Sequence, residues 1–224
     1  MRIRTEGLTR TFRVGASEIL AVNNVNMEIS IPELVAVVGR SGSGKSTFLN
    51  LIGLNDLPTS GKIFVDDVET RLLSGDERRR IRRTRMGFVF QTFNLFPTLS
   101  AQENVELLLS LGGRPQEEQH RRAGKLLETV GLMNRKDHRP KQLSMGEMQR
   151  VAIARAIANQ PEIIIADEPT GELDSKTAKE IITLLQSINE SEKTTVVVAT
   201  HDEKIISAAD TVYTMQDGKL ERAS

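Results

Sequence analysis

A lysine and a serine closing a glycine-rich stretch carry the clearest chemistry in this 224-residue sequence: Gly39-Arg40-Ser41-Gly42-Ser43-Gly44-Lys45-Ser46, followed by Thr47. The spacing fits G-x-x-x-x-G-K-[ST]. Glycines in such a loop let successive backbone N–H groups converge on an anion, and the helix that follows adds its N-terminal dipole. Lys45 then reaches the β- and γ-phosphates of a nucleotide and Ser46 binds Mg²⁺. Further on, Ile163-Ile-Ile-Ala-Asp167-Glu168 places two adjacent carboxylates at the end of an apolar run. Neighbouring side chains on a strand point to opposite faces, so one acid serves a metal ion and the other an attacking water. Asp167 takes the metal side and Glu168 the role of water-activating base, a division suited to phosphoryl transfer to water. A third candidate, Leu143-Ser144-Met145-Gly146-Glu147, has the spacing of a capping box. Helix initiation explains it, and the same helix start is equally able to hold a phosphate.

These residues need particular elements beneath them. Leu34-Val-Ala-Val-Val38 is a continuous apolar run, as expected of a strand buried on both faces, and it leads directly into the glycine loop. Similar runs are Phe88–Phe90, Ile163–Ala166 and Val196–Ala199, separated by helical patterns at 101–111, 117–130, 146–158 and 175–189. Buried strands alternating with helices predict a parallel α/β sheet. Alternation at Val25, Met27 and Ile29 predicts a half-exposed strand, and the first 30 or so residues read as a small antiparallel ribbon. Asp217-Gly218 marks a tight turn. The stretch from about 92 to 157 is nearly all helix-forming and reads as an insertion in the α/β core.

Composition excludes several classes. Thirty basic and thirty acidic side chains give zero net charge, which argues against a polybasic nucleic-acid binder. With no cysteine there is no disulfide framework and no thiolate metal site, as suits a reducing compartment. The apolar runs are strand-length, far short of the ~20 residues that span a bilayer. The opening Met-Arg-Ile-Arg-Thr-Glu lacks the apolar stretch of a signal peptide.

With Gly39–Thr47, Leu143–Glu147 followed by Gln149-Arg150, Ile163–Glu168 and Thr200-His201-Asp202 in this order, the chain resembles an ABC-transporter nucleotide-binding subunit over essentially its whole length. The wording around Gly87–Ser100 and Ala166–Asp174 is most similar to the LolD/MacB branch of lipoprotein release and macrolide export, with the cell-division ATPase a close cousin. The resemblance implies an α/β fold: a P-loop NTPase core of ABC type with an N-terminal antiparallel β subdomain and an inserted helical subdomain. Residues 1–91 and 158–224 would form the core and 92–157 the helical part. It implies ATP and Mg²⁺ as cofactors, ATP hydrolysis, and a second copy of the chain. Each nucleotide would lie between Gly39–Thr47 of one copy and Ser144, Gly146 and Glu147 of the other. Gln91 would sense Mg²⁺, Asp174 would cross the dimer interface, His201 would contact the γ-phosphate, and Phe12 stands where the family stacks an aromatic on adenine. The implied partner is an integral-membrane permease, of a four-helix LolC/MacB/FtsX-like type, which would hold the chain on the cytoplasmic face of the membrane. No nucleic-acid partner is expected. A soluble ATPase acting on DNA or ribosomes is the rival, but such proteins generally carry tandem ATPase domains, long coiled coils or zinc-binding cysteines. A small P-loop kinase leaves the signature, Gln91 and His201 unexplained, and a cell-division regulator that transports nothing is not separable here.

The family has Gly-Gly after the signature serine, whereas Met145 stands first here, and Met148 replaces the usual Gln or Glu. Methionine is tolerated at 145 if φ stays negative. Phe88 and Phe90 read as strand core. Phe93, Leu95, Phe96 and Pro97 follow in a loop; they either line the groove that, as the resemblance implies, accepts a cytoplasmic helix of the permease, or pack within the helical insertion. Arg78–Arg85, six arginines in eight positions, reads as the solvated face of a short helix, with a contact to lipid headgroups or permease charges as the alternative. His120 and His138 match nothing and read as ordinary polar residues.

Overall fold

A computed structural model describes residues 1–15, 17–29 and 32–223. In chain order it begins with β1 (Ile3–Val14), β2 (Ser17–Ile29), β3 (Leu34–Val38), α1 (Lys45–Ile52), β4 (Ser60–Val65), β5 (Val68–Glu69), α2 (Gly75–Arg85) and β6 (Met86–Phe90). Three helices follow, α3 (Ala101–Leu111), α4 (Gln116–Thr129) and α5 (Met145–Ala156). The chain closes with β7 (Ile163–Asp167), α6 (Ser175–Glu192), β8 (Thr195–Thr200), α7 (Glu203–Ala208), β9 (Thr211–Gln216) and β10 (Lys219–Arg222).

The apolar runs become the inner strands of a six-stranded sheet ordered β10-β9-β3-β8-β7-β6. Pairings from β9 to β6 are parallel, and β10 closes one edge as an antiparallel hairpin with β9 through Asp217-Gly218. The expected ribbon is larger than its two strands. β1 pairs with both β2 and β4, and β5 extends this second, antiparallel sheet.

The period of two decides what each sheet face touches. Leu34, Ile164, Ala166, Val196 and Val198 face one core, shared with Val105 and Leu109 of α3, Leu127 of α4, Val151 of α5 and Ile181 of α6. The alternate residues Val35, Val37, Ile163, Ile165, Val197 and Ala199 face a second core, shared with Phe48 and Ile52 of α1 and with Ile3, Val25 and Ile63 of the antiparallel sheet. Strands buried on both faces therefore show no polar alternation. The three helices of the 92–157 region pack on the sheet through the first core and have no separate one.

Helix starts follow their capping residues. Ser74 with Glu77, Ser100 with Glu103 and Ser144 with Glu147 each form the reciprocal capping box, worth about 1 kcal/mol per cap. The four expected helices lie within a few residues of the expected bounds, while α7 has too short a pattern to be read from sequence.

The turn before α3 hangs on one buried side chain. Asn104 Oδ1 accepts from the Phe96 amide at 2.8 Å, and Nδ2 donates to the carbonyls of Phe96, Leu99 and Ser100. Asn104→Ala strands these buried groups and is expected to cost about 2 kcal/mol, read as a lowered urea midpoint. An unchanged midpoint would show that the turn does not depend on this tie.

Candidate active site

The glycine loop lies between β3 and α1, at the carboxyl end of the sheet, pressed from two sides. A Cβ on Gly39 would collide with the Met215 carbonyl oxygen of β9, and one on Gly44 (φ 107°) with the Ala21 carbonyl oxygen of β2. Both collisions are with backbone, so glycine is required at both positions for space, and at Gly44 for its left-handed conformation as well. Behind the loop, the Gly218 amide donates to the Ser43 carbonyl and the Asn23 amide to the Gly218 carbonyl. The turn read only as the end of a hairpin thus braces the phosphate loop.

Lys45 is buried at the first turn of α1. Its Nζ donates to the carbonyls of Gly39 (2.8 Å) and Arg40 (3.2 Å) and lies 3.7 Å from Glu168 Oε1. Glu168 follows β7 with a left-handed backbone, φ 46°, its amide held by the Ala199 carbonyl of β8. The exposed His201 ring approaches from the end of β8, with Nδ1 2.9 Å from Glu168 Oε2. One open cavity of about 810 Å³ takes in Gly39, Arg40, Ser41, Gly42, Gly44, Lys45, Ser46, Thr47, Gln91, Glu168 and His201. Gln91 Nε2 donates to Glu172 Oε1 at 2.9 Å. The cavity wall also contains Ile19, Leu20 and Ala21 of β2 and Gly171, which carry no site signal in the sequence, and Asp217 and Gly218, expected only as a turn. Ile19 and Leu20 are large exposed apolar side chains in a strand whose other large apolar residues are buried, so nothing in the sequence sets them apart.

Phe12 lies beside this wall, not in it. It pairs with Ile19 in the β1–β2 register, and the Arg10 guanidinium lies 4.6 Å from its ring centroid. Asp167, at the end of β7, has its Oδ1 buried without a hydrogen-bond partner, as does Ser43 Oγ in the loop. Among the described residues no three His, Cys, Asp or Glu side chains form a metal cluster. The donor set of Ser46, Gln91 and Asp167 supplies one carboxylate and neutral oxygens. That chemistry fits Mg²⁺, which is usually held by one or two carboxylates together with substrate phosphates, and the unpartnered Asp167 oxygen agrees with it.

The signature residues stand apart from this cavity within one chain. Ser144 and Met145 are exposed at the start of α5. The Glu147 amide donates to Ser144 Oγ (3.2 Å), and the Ser144 amide donates back to Glu147 Oε2 (2.8 Å). That amide, with Arg135, holds the Glu147 carboxyl below the ordinary carboxylate range. Met145 is absent from the positive-φ positions, so its side chain causes no backbone strain. Gly146 answers to an internal contact: a Cβ there would strike Thr177 Cγ2 of α6. Thr177 cannot simply rotate away, because its Oγ1 donates to Asp174 Oδ2 at 2.6 Å. Asp174 Oδ1 in turn accepts from the amides of Lys176 and Thr177, making it the N-cap of α6. Thr177's hydroxyl and amide depress the Asp174 carboxyl pKa. Three more bonds run from α5 to neighbouring loops. Gln149, fully buried, donates to the Pro169 carbonyl just beyond Glu168, and Arg155 donates to the carbonyls of Phe93 and Asn94.

A second concavity, of about 310 Å³, opens between α2, β6 and α3 and is floored by Phe88, Phe90, Phe96, Leu107, Leu108 and Leu111. The aromatic residues are distributed differently from expectation. Phe88 and Phe90, read as core, stack at 6.2 Å and line the groove, because β6 is the sheet edge. Of the loop residues only Phe96 joins them. Phe93 is turned aside by a left-handed backbone, φ 61°, with its carbonyl on Arg155, Leu95 packs on the first core, and Pro97 is exposed outside the lining. His120 bonds Glu106 and Gln102, and His138 contacts Arg135.

The ABC transporter family pattern matches residues 22–171. An uncharacterized ABC transporter ATP-binding protein of Methanocaldococcus jannaschii, MJ0796, is 48% identical over 98% of this chain and 95% of its own length. The macrolide export ATP-binding/permease protein MacB of Brucella melitensis is 43% identical over 97% of this chain, which spans 34% of that longer protein. A dimeric structure of MJ0796 in a post-hydrolysis state, bound to ADP and Pi, superposes with a TM-score of 0.91 at 46% identity, covering 98% of this chain and 97% of that one.

The Gly146–Thr177 contact makes a specific prediction. Gly146→Ala is expected to cost about 1–3 kcal/mol by overpacking. Thr177→Ser, which deletes Cγ2 but keeps the hydroxyl on Asp174, is expected to restore most of that loss in the double variant. Additive losses in denaturant unfolding would contradict the contact.

Proposed function

The chain belongs to the ABC transporter family, and from that premise we propose that it is the ATP-hydrolysing subunit of a membrane complex, in which two copies close over ATP and drive a partner permease. The observation that carries this reading is the convergence of Lys45, Glu168 and His201 on one cavity at the carboxyl ends of β3, β7 and β8, the usual ligand position of such sheets.

The loop amides and the α1 N-terminus receive the β- and γ-phosphates. Lys45 trades its two loop carbonyls for phosphate oxygens, which frees Glu168 from its neighbour's charge as the ligand takes that charge up. Glu168, fixed by the backbone bond to Ala199, accepts a hydrogen bond from the attacking water and orients it on the γ-phosphorus. His201 holds the γ-phosphate against that water. Ser46, Gln91 and Asp167 would hold Mg²⁺, which would supply positive charge to offset that of the phosphates. Catalysis here is mostly positioning and electrostatics.

A second copy completes the site. Ser144, Gly146 and Glu147 open a helix whose N-terminus is exposed and lies outside its own chain's cavity, so a phosphate bound by one copy meets the signature helix of the other. The dimeric ADP- and Pi-bound state of MJ0796 supports this arrangement. Asp174 serves its own α6 first and approaches the partner from there, and Phe12, with Ile19 and Leu20, forms the apolar ground for the adenine ring.

Among the described residues no helix is long and apolar enough to cross a membrane. We assign the membrane part to a separate permease of the four-helix LolC/MacB/FtsX-like type, which anchors the chain on the cytoplasmic face of the membrane. A relative with ATP-binding and permease parts in one longer polypeptide supports that partner. The groove lined by Phe88, Phe90 and Phe96 is its docking place, and residues 92–157 form the helical unit that carries the signature and the α3 wall of the groove.

Glu168→Gln is expected to keep ATP binding while lowering turnover by about 10²–10⁴-fold and trapping an ATP-bound dimer on gel filtration. Turnover at the native rate would remove Glu168 from the role of base. Phe96→Ala is expected to leave the ATPase rate of the isolated chain unchanged and to weaken co-purification with the permease. Unchanged co-purification would discard the groove as the docking place.

A further inference from the structure

The arginine run is only partly a solvated face. Arg78, Arg82 and Arg85, spaced one helical turn apart, turn inward on α2. Arg85 joins Glu162 and Asp66. Arg82 donates to the Leu54 carbonyl at 2.6 Å, and Arg78 to those of Thr70 and Leu73. Backbone carbonyls do not neutralise a guanidinium; they orient it. Each bond uses only the Nη1 side of the fork and leaves other N–H donors for a ligand.

Arg78 and Arg82, with Arg79 of the next helical position and Arg10 of β1, line a cavity of about 470 Å³. Its one carboxylate lining residue is Asp56, already engaged 2.9 Å from the Arg10 guanidinium. Arg79 pairs with exposed Asp76 on the rim. Positive charge thus remains in excess around an open space. Burial and the neighbouring Arg79 and Arg78 all press the Arg82 guanidinium toward a lower pKa, as expected where like charges are held together without a counter-ion. Two large exposed leucines lie close in sequence to this cavity, Leu57 on its wall and Leu72 just before α2. The cavity shares Asn55 and Arg82 with the aromatic groove, so the two adjoin.

We propose that this cavity binds a phosphate-bearing anion, and that its source is the headgroup of an anionic phospholipid. Forked guanidinium donors from two elements match phosphate oxygens, and the flanking leucines suit the interface just beneath a headgroup. The source, unlike the cavity chemistry, rests on the groove being the permease-facing side. The test uses the chain alone, so it succeeds or fails independently of permease docking.

The experiment is vesicle flotation of the full chain, with ADP saturating the phosphate loop. Native protein is expected to float with phosphatidylglycerol vesicles and not with phosphatidylcholine vesicles. Arg79→Glu, at an exposed residue held only by Asp76, should reduce the bound fraction at least about fivefold, as a charge reversal in a phosphate contact does. Arg79→Lys should retain most of it, and Lys179→Glu, the same charge change on exposed α6, should have little effect. Equal losses in Arg79→Glu and Lys179→Glu would mean diffuse charge attraction and overturn the site. Soluble glycerol phosphate is the second arm. An Arg79-dependent thermal shift without flotation would keep the phosphate site and overturn the lipid source. Poly-glutamate binding that is lost in Arg79→Glu, with no response to either phosphate probe, would assign the cavity to an acidic protein segment and overturn the proposal. Silence in every arm would do the same.

Discussion

Two backbone collisions that glycine avoids hold the rest of the molecule in relation. Gly39 lies against a carbonyl of β9 and Gly44 against a carbonyl of β2, so the phosphate loop is the seam between the two sheets. A loop free to flex would lose its ring of converging amides. Wedged between strands of different sheets, it keeps them, and the second core beneath it, filled by Phe48, Leu51 and Ile52 of α1, transmits the packing density of both sheets to the loop. Lys45 and Ser46 are therefore placed by the whole fold, although the residues that place them lie at positions 21 and 215.

α5 organises the opposite half of the molecule. Through Gln149 it meets the loop after Glu168, through Arg155 the loop after Gln91, and through Gly146 the start of α6 capped by Asp174. The bonds from Gln149 and Arg155 are made by buried side chains, where a lost partner leaves an unsatisfied polar group. The helix whose first residues face outward is in this way fastened to the surroundings of the base, to the groove loop and to Asp174. Arg155, which also lines the groove, is thus a direct tie between the groove loop and α5.

Much of this was legible where function depends on residues close in sequence. Gly39–Ser46 and Asp167-Glu168 announce themselves because a phosphate loop and a strand-end acid pair are local devices. The capping boxes are local as well. Contacts across the chain were not legible: nothing in Asp217-Gly218 says that it supports Ser43, and nothing in Ile19 and Leu20 says that they wall the cavity beside Phe12. Phe88 does pack on the second core as its apolar run suggests, but it and Phe90 also line the groove, because an apolar run reveals burial but not whether its strand is central or at an edge. The inward turn of Arg78, Arg82 and Arg85 was visible in principle as a helical repeat, but the net charge of the run masked it. Met145 raised a doubt that the helical backbone removes, since only a positive φ would have made glycine necessary.

Lys45 has a consequence beyond its position. Its ammonium is already solvated by the Gly39 and Arg40 carbonyls, so the loop supplies its own internal counter-dipoles. Ligand entry is then an exchange reaction, in which phosphate oxygens displace carbonyl oxygens around a cation that never has to be stripped bare. In the proposed site such an exchange keeps the resting loop ordered, and the anionic phosphate oxygens win it because a charge-assisted hydrogen bond is stronger than one to a neutral carbonyl.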